Sequence, residues 1–312
     1  MNNKYLISII GPTAIGKTAL AIQVAGYFNT EILSSDSRQF YKEMRIGTAV
    51  PDKAELAAVP HHFIQDRSVI QDYTVGDFER DAVAKIAELH RQHQVLVMTG
   101  GSGLYVDAVL RGFDAFPELD PAIRRDLKDL FLKEGISVLQ EKLKDLDPET
   151  YRKIDLENAQ RLMRALEVCL GTGLPYSSFL TDLVSQRNFI PIKIGLTAPR
   201  DLVYDRINRR VDQMMEQGLL EEVKSLIPYK DLNALQTVGY KELFLYLEGQ
   251  GSLAFAVEEI KKNSRRFAKR QYTWFNKDKE IRWFDYDTPP NEIIDYIENF
   301  IKSSNSLKTE ES

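Results

Sequence analysis

Eight residues constrain this chain more than any others: Gly11-Pro12-Thr13-Ala14-Ile15-Gly16-Lys17-Thr18, which fit the pattern G-x-x-x-x-G-K-[ST]. They follow the β-rich apolar run 5–10 with no residue between and lead into the helix-like stretch 19–25. A strand, a glycine-rich loop and a helix in that order predict a phosphate loop. The glycines let successive backbone N–H groups point inward, the helix presents its positive end, Lys17 adds a charge, and the Thr18 hydroxyl can hold Mg²⁺. The expected ligand carries at least two linked phosphates. The loop alone does not say whether they belong to a nucleotide.

Composition bounds the rest. With 312 residues, 43% hydrophobic and 28% charged, the chain reads as a soluble globule of one large domain plus an insertion, or two domains. The formal net charge of -5 means that nucleic-acid contact must rest on local basic clusters rather than an overall positive field. Cys169 is the only cysteine, which excludes an internal disulfide and a multi-cysteine zinc site and fits a reducing compartment. The first expected strand leaves no room for a signal peptide, and no apolar run approaches membrane-spanning length. The expected location is the cytoplasm.

Residues 31–35 read as a second strand with Asp36 at its carboxyl end. In an open parallel sheet, ligands gather outside the carboxyl ends of strands, which puts Asp36 near the phosphate loop. There it could assist Mg²⁺ indirectly or take a proton as a general base; the plainer alternative is a helix N-cap. Residues 51–72 read as irregular. Within them Pro60-His61-His62 are expected to be loop residues that contact substrate, since adjacent histidines cannot both face one metal from a helix or strand. Residues 75–93 have helical periodicity, with Phe78, Ala82, Ile86 and Leu89 on one core-facing side. A third strand at 95–98 ends in Thr99-Gly100-Gly101-Ser102-Gly103, where many phosphate-loop NTPases carry an Asp associated with Mg²⁺. These glycines suggest close backbone approach to a ligand or a neighbouring loop, or a plain tight turn.

From about 114 to 187 the character changes to charged amphipathic helices over 121–133, 137–146 and 158–170, an expected helical insertion. On the last of these, Gln160, Arg161 and Arg164 share one side and Leu162, Leu166 and Leu170 another, and spacing alone fits a solvated polar face as well as a functional one. Residues 191–196 return to strand character. The helix after them carries Arg206 and Arg210, four apart and with no carboxylate three or four residues away, a pair suited to a diphosphate. Residues 261–275 hold six basic residues among aromatics, as phosphate contact and base stacking require, or as a solvated basic helix with an aromatic core side would show. A last strand is expected at 280–284 and a disordered tail at 303–312. The expected fold is α/β: a P-loop core with a parallel sheet flanked by helices, in two parts (1–113 and 188–302), around an all-helical insertion domain (114–187).

Taken in order, seven stretches resemble the tRNA dimethylallyltransferase family, also called tRNA isopentenyltransferases. They are the phosphate loop, Asp36-Ser37-Arg38-Gln39, Pro60-His61-His62, Gly100-Gly101-Ser102-Gly103-Leu104-Tyr105, Gln160-Arg161-Leu162-Met163-Arg164, Gly239-Tyr240-Lys241-Glu242 and Lys269-Arg270-Gln271-Tyr272-Thr273-Trp274-Phe275. The resemblance implies transfer of a dimethylallyl group from dimethylallyl diphosphate to N6 of adenosine 37, beside the anticodon of certain tRNAs, by a monomer that uses Mg²⁺. By that likeness Gly11 to Thr18 hold the diphosphate, with Thr13 in the catalytic set and Thr18 on the metal. Asp36 acts as general base, and Arg206 and Arg210 meet the leaving diphosphate. Asp36, Ser37, Arg38, Gln39, Ser102, Arg124 and Gln160, Arg161, Leu162, Met163 and Arg164 contact tRNA. The family usually has Thr where this chain has Ser102, and the hydroxyl is kept. Some relatives carry a C-terminal zinc finger; with one cysteine this chain does not. The rival reading is a small-molecule or nucleoside kinase that binds ATP on the same loop.

Overall fold

A computed structural model describes residues 3–112, 116–180 and 186–310. The chain forms two compact units, residues 1–111 with 186–312 and residues 112–185. The expected boundary at 113–114 lies outside the described residues.

The first unit is a sheet sandwiched by helices. In chain order it runs β1 (Tyr5–Ile10), α1 (Lys17–Tyr27), β2 (Ile32–Ser34), α2 (Lys53–Ala58), β3 (His61–His62), α3 (Val75–Leu89), β4 (Val95–Gly100) and α4 (Gly103–Arg111). Among the described residues the sheet has six strands in the order β3-β2-β4-β1 followed by two later strands, and every pair is parallel. β1 is central and buried at all six residues, which is why it reads as an unbroken apolar run: helices cover both faces of a parallel sheet. Tyr5, Ile7 and Ile9 face one core with α1, and Leu6 and Ile10 face another with α3 and α4. The helical side of α3 is as expected, with Phe78, Ala82, Ile86 and Leu89 all buried.

The second unit holds α5 (Pro121–Glu134), α6 (Ile136–Leu146), α7 (Pro148–Lys153) and α8 (Ala159–Thr172). Their shared core contains Leu127, Leu139, Leu143, Leu162, Met163 and Leu166. Leu170, expected on that side, is exposed because α8 ends two residues later at Thr172, where Gly173, with a φ of 72°, stops the helix.

The chain returns to the sheet with β5 (Ile190–Thr197), then α9 (Arg200–Glu216), α10 (Leu219–Ser225), α11 (Tyr240–Leu247), α12 (Leu253–Phe275), β6 (Arg282–Asp285) and α13 (Pro290–Glu310). β5 pairs with β1 on one side and β6 on the other. Among the described residues no helix is long and apolar enough to cross a membrane.

Three expectations need correction. Residues 51–72 are not wholly irregular: Asp52 and Glu55 close a reciprocal capping box that starts α2. His61 and His62 are not loop residues but form the edge strand β3, where His62 Nε2 meets Glu31 Oε2 at 2.6 Å and His61 Nδ1 meets the Val59 carbonyl at 2.7 Å. Nor is the tail disordered from residue 303. α13 continues to Glu310, because Ile293, Ile294 and Ile297 bury one face and the Tyr5 hydroxyl donates to Asn305 Oδ1 at 2.9 Å.

Candidate active site

Parallel pairing brings every strand's carboxyl end to one edge of the sheet, so the loop after β1, the Asp36 turn after β2, the glycines ending β4 and Ala198 after β5 gather there. The loop after β1 is built to stay open. Gly11 has φ +145°, and a Cβ there would lie 2.8 Å from the Leu196 carbonyl of β5. α1 begins after Gly16 with no side-chain cap, so among the described residues its first amides have no capping partner, and they carry the positive end of the helix dipole. The half-buried Lys17 donates from Nζ to the Pro12 carbonyl at 2.7 Å. Burial, and next the nearby Arg210 guanidinium, push its pKa down from 10.5 to about 7, against the opposing pull of Asp36. Uncapped amides and a cation crowded toward losing its proton make a site prepared for an anion.

Beside the loop lies a cavity of about 500 Å³, and Thr13, Asp36, Ser37, Arg38, Ser102 and Arg210 are among the residues that line it. Asp36 Oδ1 accepts from the amides of Arg38 at 2.9 Å and Gln39 at 3.3 Å, so this oxygen caps a turn rather than a helix. The other carboxylate oxygen accepts no hydrogen bond among the described residues, which leaves it available to take a proton. Ser102 Oγ accepts from the Ser37 amide at 3.0 Å and donates to Ser37 Oγ at 3.1 Å, locking the Asp36 turn to the end of β4. Gln39 is occupied elsewhere: its Nε2 donates to the carbonyls of Thr48 at 3.2 Å and Ala49 at 3.0 Å.

Both paired arginines of α9 reach the phosphate loop. Arg206 donates to the Ile15 carbonyl at 3.3 Å and lies 4.5 Å over the Tyr286 ring, while Arg210 donates to Thr13 Oγ1 at 3.5 Å and also lines the cavity. Burial pulls the pKa of Arg210 down, and the carboxylate of Asp36 works against that. Arg209, between them in sequence, makes an exposed ion pair with Asp205 at 2.8 Å. The glycines ending β4 approach neighbouring elements closely: a Cβ on Gly100 would lie 2.3 Å from Ser35 Oγ, and one on Gly101 2.3 Å from Gln271 Nε2.

Gln271 is a site residue that sequence reasoning leaves without a role. Its Oε1 accepts from the Thr13 amide at 2.9 Å and its Nε2 donates to the Gly101 carbonyl at 2.8 Å, so one buried amide ties the phosphate loop to the end of β4. The available signal was a polar residue among Ala268 and Phe275 on the buried side of α12. The basic stretch itself divides. Lys261 and Lys262 pair with Asp212 and Glu259 at 2.8 Å each, and Arg265 donates to Asn208 at 2.6 Å. Lys269 and Arg270 are exposed with no carboxylate partner among the described residues, and Arg270 and Phe267 line the cavity.

In the helical unit, Arg124 and Arg164 both donate to Glu167 Oε2 at 3.1 Å, and Arg124 also donates to Gln160 Oε1 at 3.3 Å. Arg161 is exposed. Leu162 and Met163 correct the expectation of RNA contact: at 0% and 5% exposure their side chains fill the core of this unit, as apolar residues on the inner side of an amphipathic helix must.

A metal would meet a sparse donor set. Among the described residues no cluster of three or more His, Cys, Asp or Glu could hold one. The Thr18 hydroxyl, half-buried in the first turn of α1, makes no hydrogen bond among the described residues. One hard oxygen with the remainder from phosphates and water is the usual protein share of a Mg²⁺ site, so the residues fit that ion.

A parallel α/β sheet with a phosphate loop on its central strand, a carboxylate across a cavity from it and an inserted helical unit defines a P-loop-type group-transfer enzyme. The family model described as "IPP transferase" matches residues 39–278. A tRNA dimethylallyltransferase of Flavobacterium johnsoniae is 58% identical, over 96% of this chain and 99% of that protein, and one from Christiangramia forsetii is also 58% identical, over 96% and 100%. The crystal structure of the tRNA isopentenylpyrophosphate transferase of Bacillus halodurans is 37% identical with a TM-score of 0.74, over 98% of this chain and 99% of that one. A eukaryotic dimethylallyltransferase captured acting on tRNA is 26% identical with a TM-score of 0.81, over 96% and 80%. The chain belongs to the tRNA dimethylallyltransferase family.

Proposed function

We propose that this protein transfers the dimethylallyl group of dimethylallyl diphosphate to N6 of adenosine 37 in the anticodon loop of tRNA, releasing diphosphate. The observation that carries this reading is the single cavity that holds Asp36, Thr13 and Arg210 together. The phosphate loop amides, Lys17 and Thr13 hold the diphosphate, with Arg206 and Arg210 completing the positive surround. A Mg²⁺ ion held by Thr18 and the phosphate oxygens would neutralise charge that builds on the leaving group. The adenine must leave its stack to reach the cavity. Its N6 then forms a bond to C1 of the dimethylallyl group as the C1–O bond breaks. Asp36 takes the proton that N6 loses, and diphosphate departs with the electron pair onto the positive loop. Ser37, Arg38 and Ser102 line the acceptor side, while Gln39 acts by holding that wall. Arg124, Gln160, Arg161 and Arg164 offer polar groups to the RNA backbone. We read the protein further as a monomer that acts in the cytoplasm, where a tRNA substrate would be met.

The test is incubation with labelled dimethylallyl diphosphate and tRNA, beside labelled ATP and a nucleoside panel. Label should enter tRNA and vanish when position 37 is guanosine. Asp36→Asn should lower kcat about 10² to 10⁴-fold with tRNA affinity kept within about three-fold. Phosphorylated nucleosides with unlabelled tRNA would establish a kinase instead.

A further inference from the structure

We propose that Glu222, on α10, is a positioning residue for this transfer: its carboxylate anchors the loop 45–49, which walls the cavity and braces the Asp36 turn. The reaction it serves is the one proposed above.

Three successive backbone amides converge on this one side chain. Glu222 Oε2 accepts from Arg45 N at 3.0 Å and Ile46 N at 2.7 Å, and Oε1 accepts from Gly47 N at 3.0 Å. Consecutive inward-pointing amides form an anion nest, and bonds to a charged acceptor are about twice as strong as neutral ones. Its neighbour Glu221 shows the contrast, with an exposed pair to Lys224 at 2.6 Å. Glu222 is itself held, because the hydroxyl of the fully buried Tyr240 donates to Oε1 at 2.6 Å. Burial, and next the Glu222 charge, push the Tyr240 pKa upward, so that proton stays in place. Gly47 seats the loop against the same ring: a Cβ there would lie 2.5 Å from Tyr240 Cε2.

The anchored loop bears on the site in two ways. Gly47, Thr48 and Ala49 line the cavity, and Ala49, Arg210 and Met214 also border a second cavity of about 520 Å³, so the loop and α9 together form the partition between them. The carbonyls of Thr48 and Ala49 hold Gln39 Nε2, Gln39 Oε1 accepts from Ser34 Oγ at 3.1 Å, and the Gln39 amide donates to Asp36 Oδ1. A path of hydrogen bonds thus runs from Glu222 through the loop to the proposed base. The remaining backbone–backbone bonds of the loop are short-range turns, such as Ala49 N to the Ile46 carbonyl at 2.9 Å, while the Gly47 backbone also meets the Tyr240 hydroxyl that Glu222 holds.

Glu222→Ala and Glu222→Gln are compared with Glu221→Ala in the full chain by transfer kinetics and by amide hydrogen exchange. Glu222→Ala should lower kcat about 10 to 100-fold, the loss expected of a displacement on the order of 1 Å, with KM for the prenyl diphosphate within about two-fold. Exchange at residues 45–47 should rise at least about ten-fold, since the anchoring bonds are gone. Formate, which can enter the vacated nest, should restore part of the activity of Glu222→Ala where chloride at equal ionic strength does not. Glu222→Gln keeps the volume and one acceptor oxygen, so it should fold normally and fall between the wild type and Glu222→Ala. Glu221→Ala should match the wild type. Wild-type kcat in Glu222→Ala, or lost activity with unchanged exchange at 45–47, would overturn the proposal. If the wild type transfers nothing, the functional reading fails by itself while exchange still decides whether Glu222 anchors the loop.

Discussion

Lys17 carries a pH dependence whose sign follows from its burial. With a pKa of about 7 in the fold and 10.5 as the ordinary value, the folded chain binds fewer protons than the unfolded chain between those limits. Stability therefore rises as pH climbs through that window, and the cost of burying the charge is complete below pH 7. A bound diphosphate favours the protonated amine. Its binding at about pH 8 to 9 should take up close to one proton, and affinity should weaken above pH 7 by up to about ten-fold per unit. Calorimetry in buffers of different ionisation enthalpy measures this, and a flat affinity profile would contradict it. Gln271→Leu makes a second prediction at this scale. It preserves volume but orphans the Thr13 amide and the Gly101 carbonyl, at about 1–3 kcal/mol each, so thermal denaturation should show a loss and KM for the prenyl diphosphate should rise. Lys17 and Asp36 were legible in the sequence because local patterns mark them. Gln271 was not, because its partners lie 258 and 170 residues away.

Among elements, the end of β4 is a tight joint. Gly100 lies against the backbone of Ser35, where a Cβ would come within 2.8 Å of the carbonyl carbon. Gly100→Ala should cost about 1–3 kcal/mol by overpacking and push the Asp36 turn outward. Denaturant unfolding and kcat should therefore fall together; lost stability with unchanged kcat would show that the turn relaxes independently. The sequence left open whether these glycines face a ligand or a neighbouring loop, and only packing could answer. Strands and helices with strong periodicity were readable, since burial imposes that period on them. α2 was missed although its capping box, Asp52 and Glu55, stood in the sequence. β3 has two residues, too few to show alternation, and takes strand geometry from its pairing with β2. The last turns of α13 are polar, and the bond from Tyr5 to Asn305 that supports them crosses 300 residues.

For the whole molecule the question is how a chain of net charge -5 meets RNA. Lys269 and Arg270, like Arg266, are exposed on α12 with no carboxylate partner among the described residues, and so are free to meet phosphate. Replacing either with Gln should lower the slope of log affinity for tRNA against log salt by about one. Lys262→Gln, which removes a charge already paired with Glu259, should change the slope little, and equal effects from all three would refute the distinction. The sequence by itself determined the phosphate loop, the parallel α/β core, the helical insertion and the candidate carboxylate, because each is written in short-range pattern: glycine spacing, apolar period and a strand-end acid. Only the tertiary structure decided which cations are already paired, which residues of α8 face inward, and that Gln271 and Glu222 hold the cavity's walls. Those assignments depend on groups far apart in the chain arriving within hydrogen-bond distance, and no local pattern encodes that meeting.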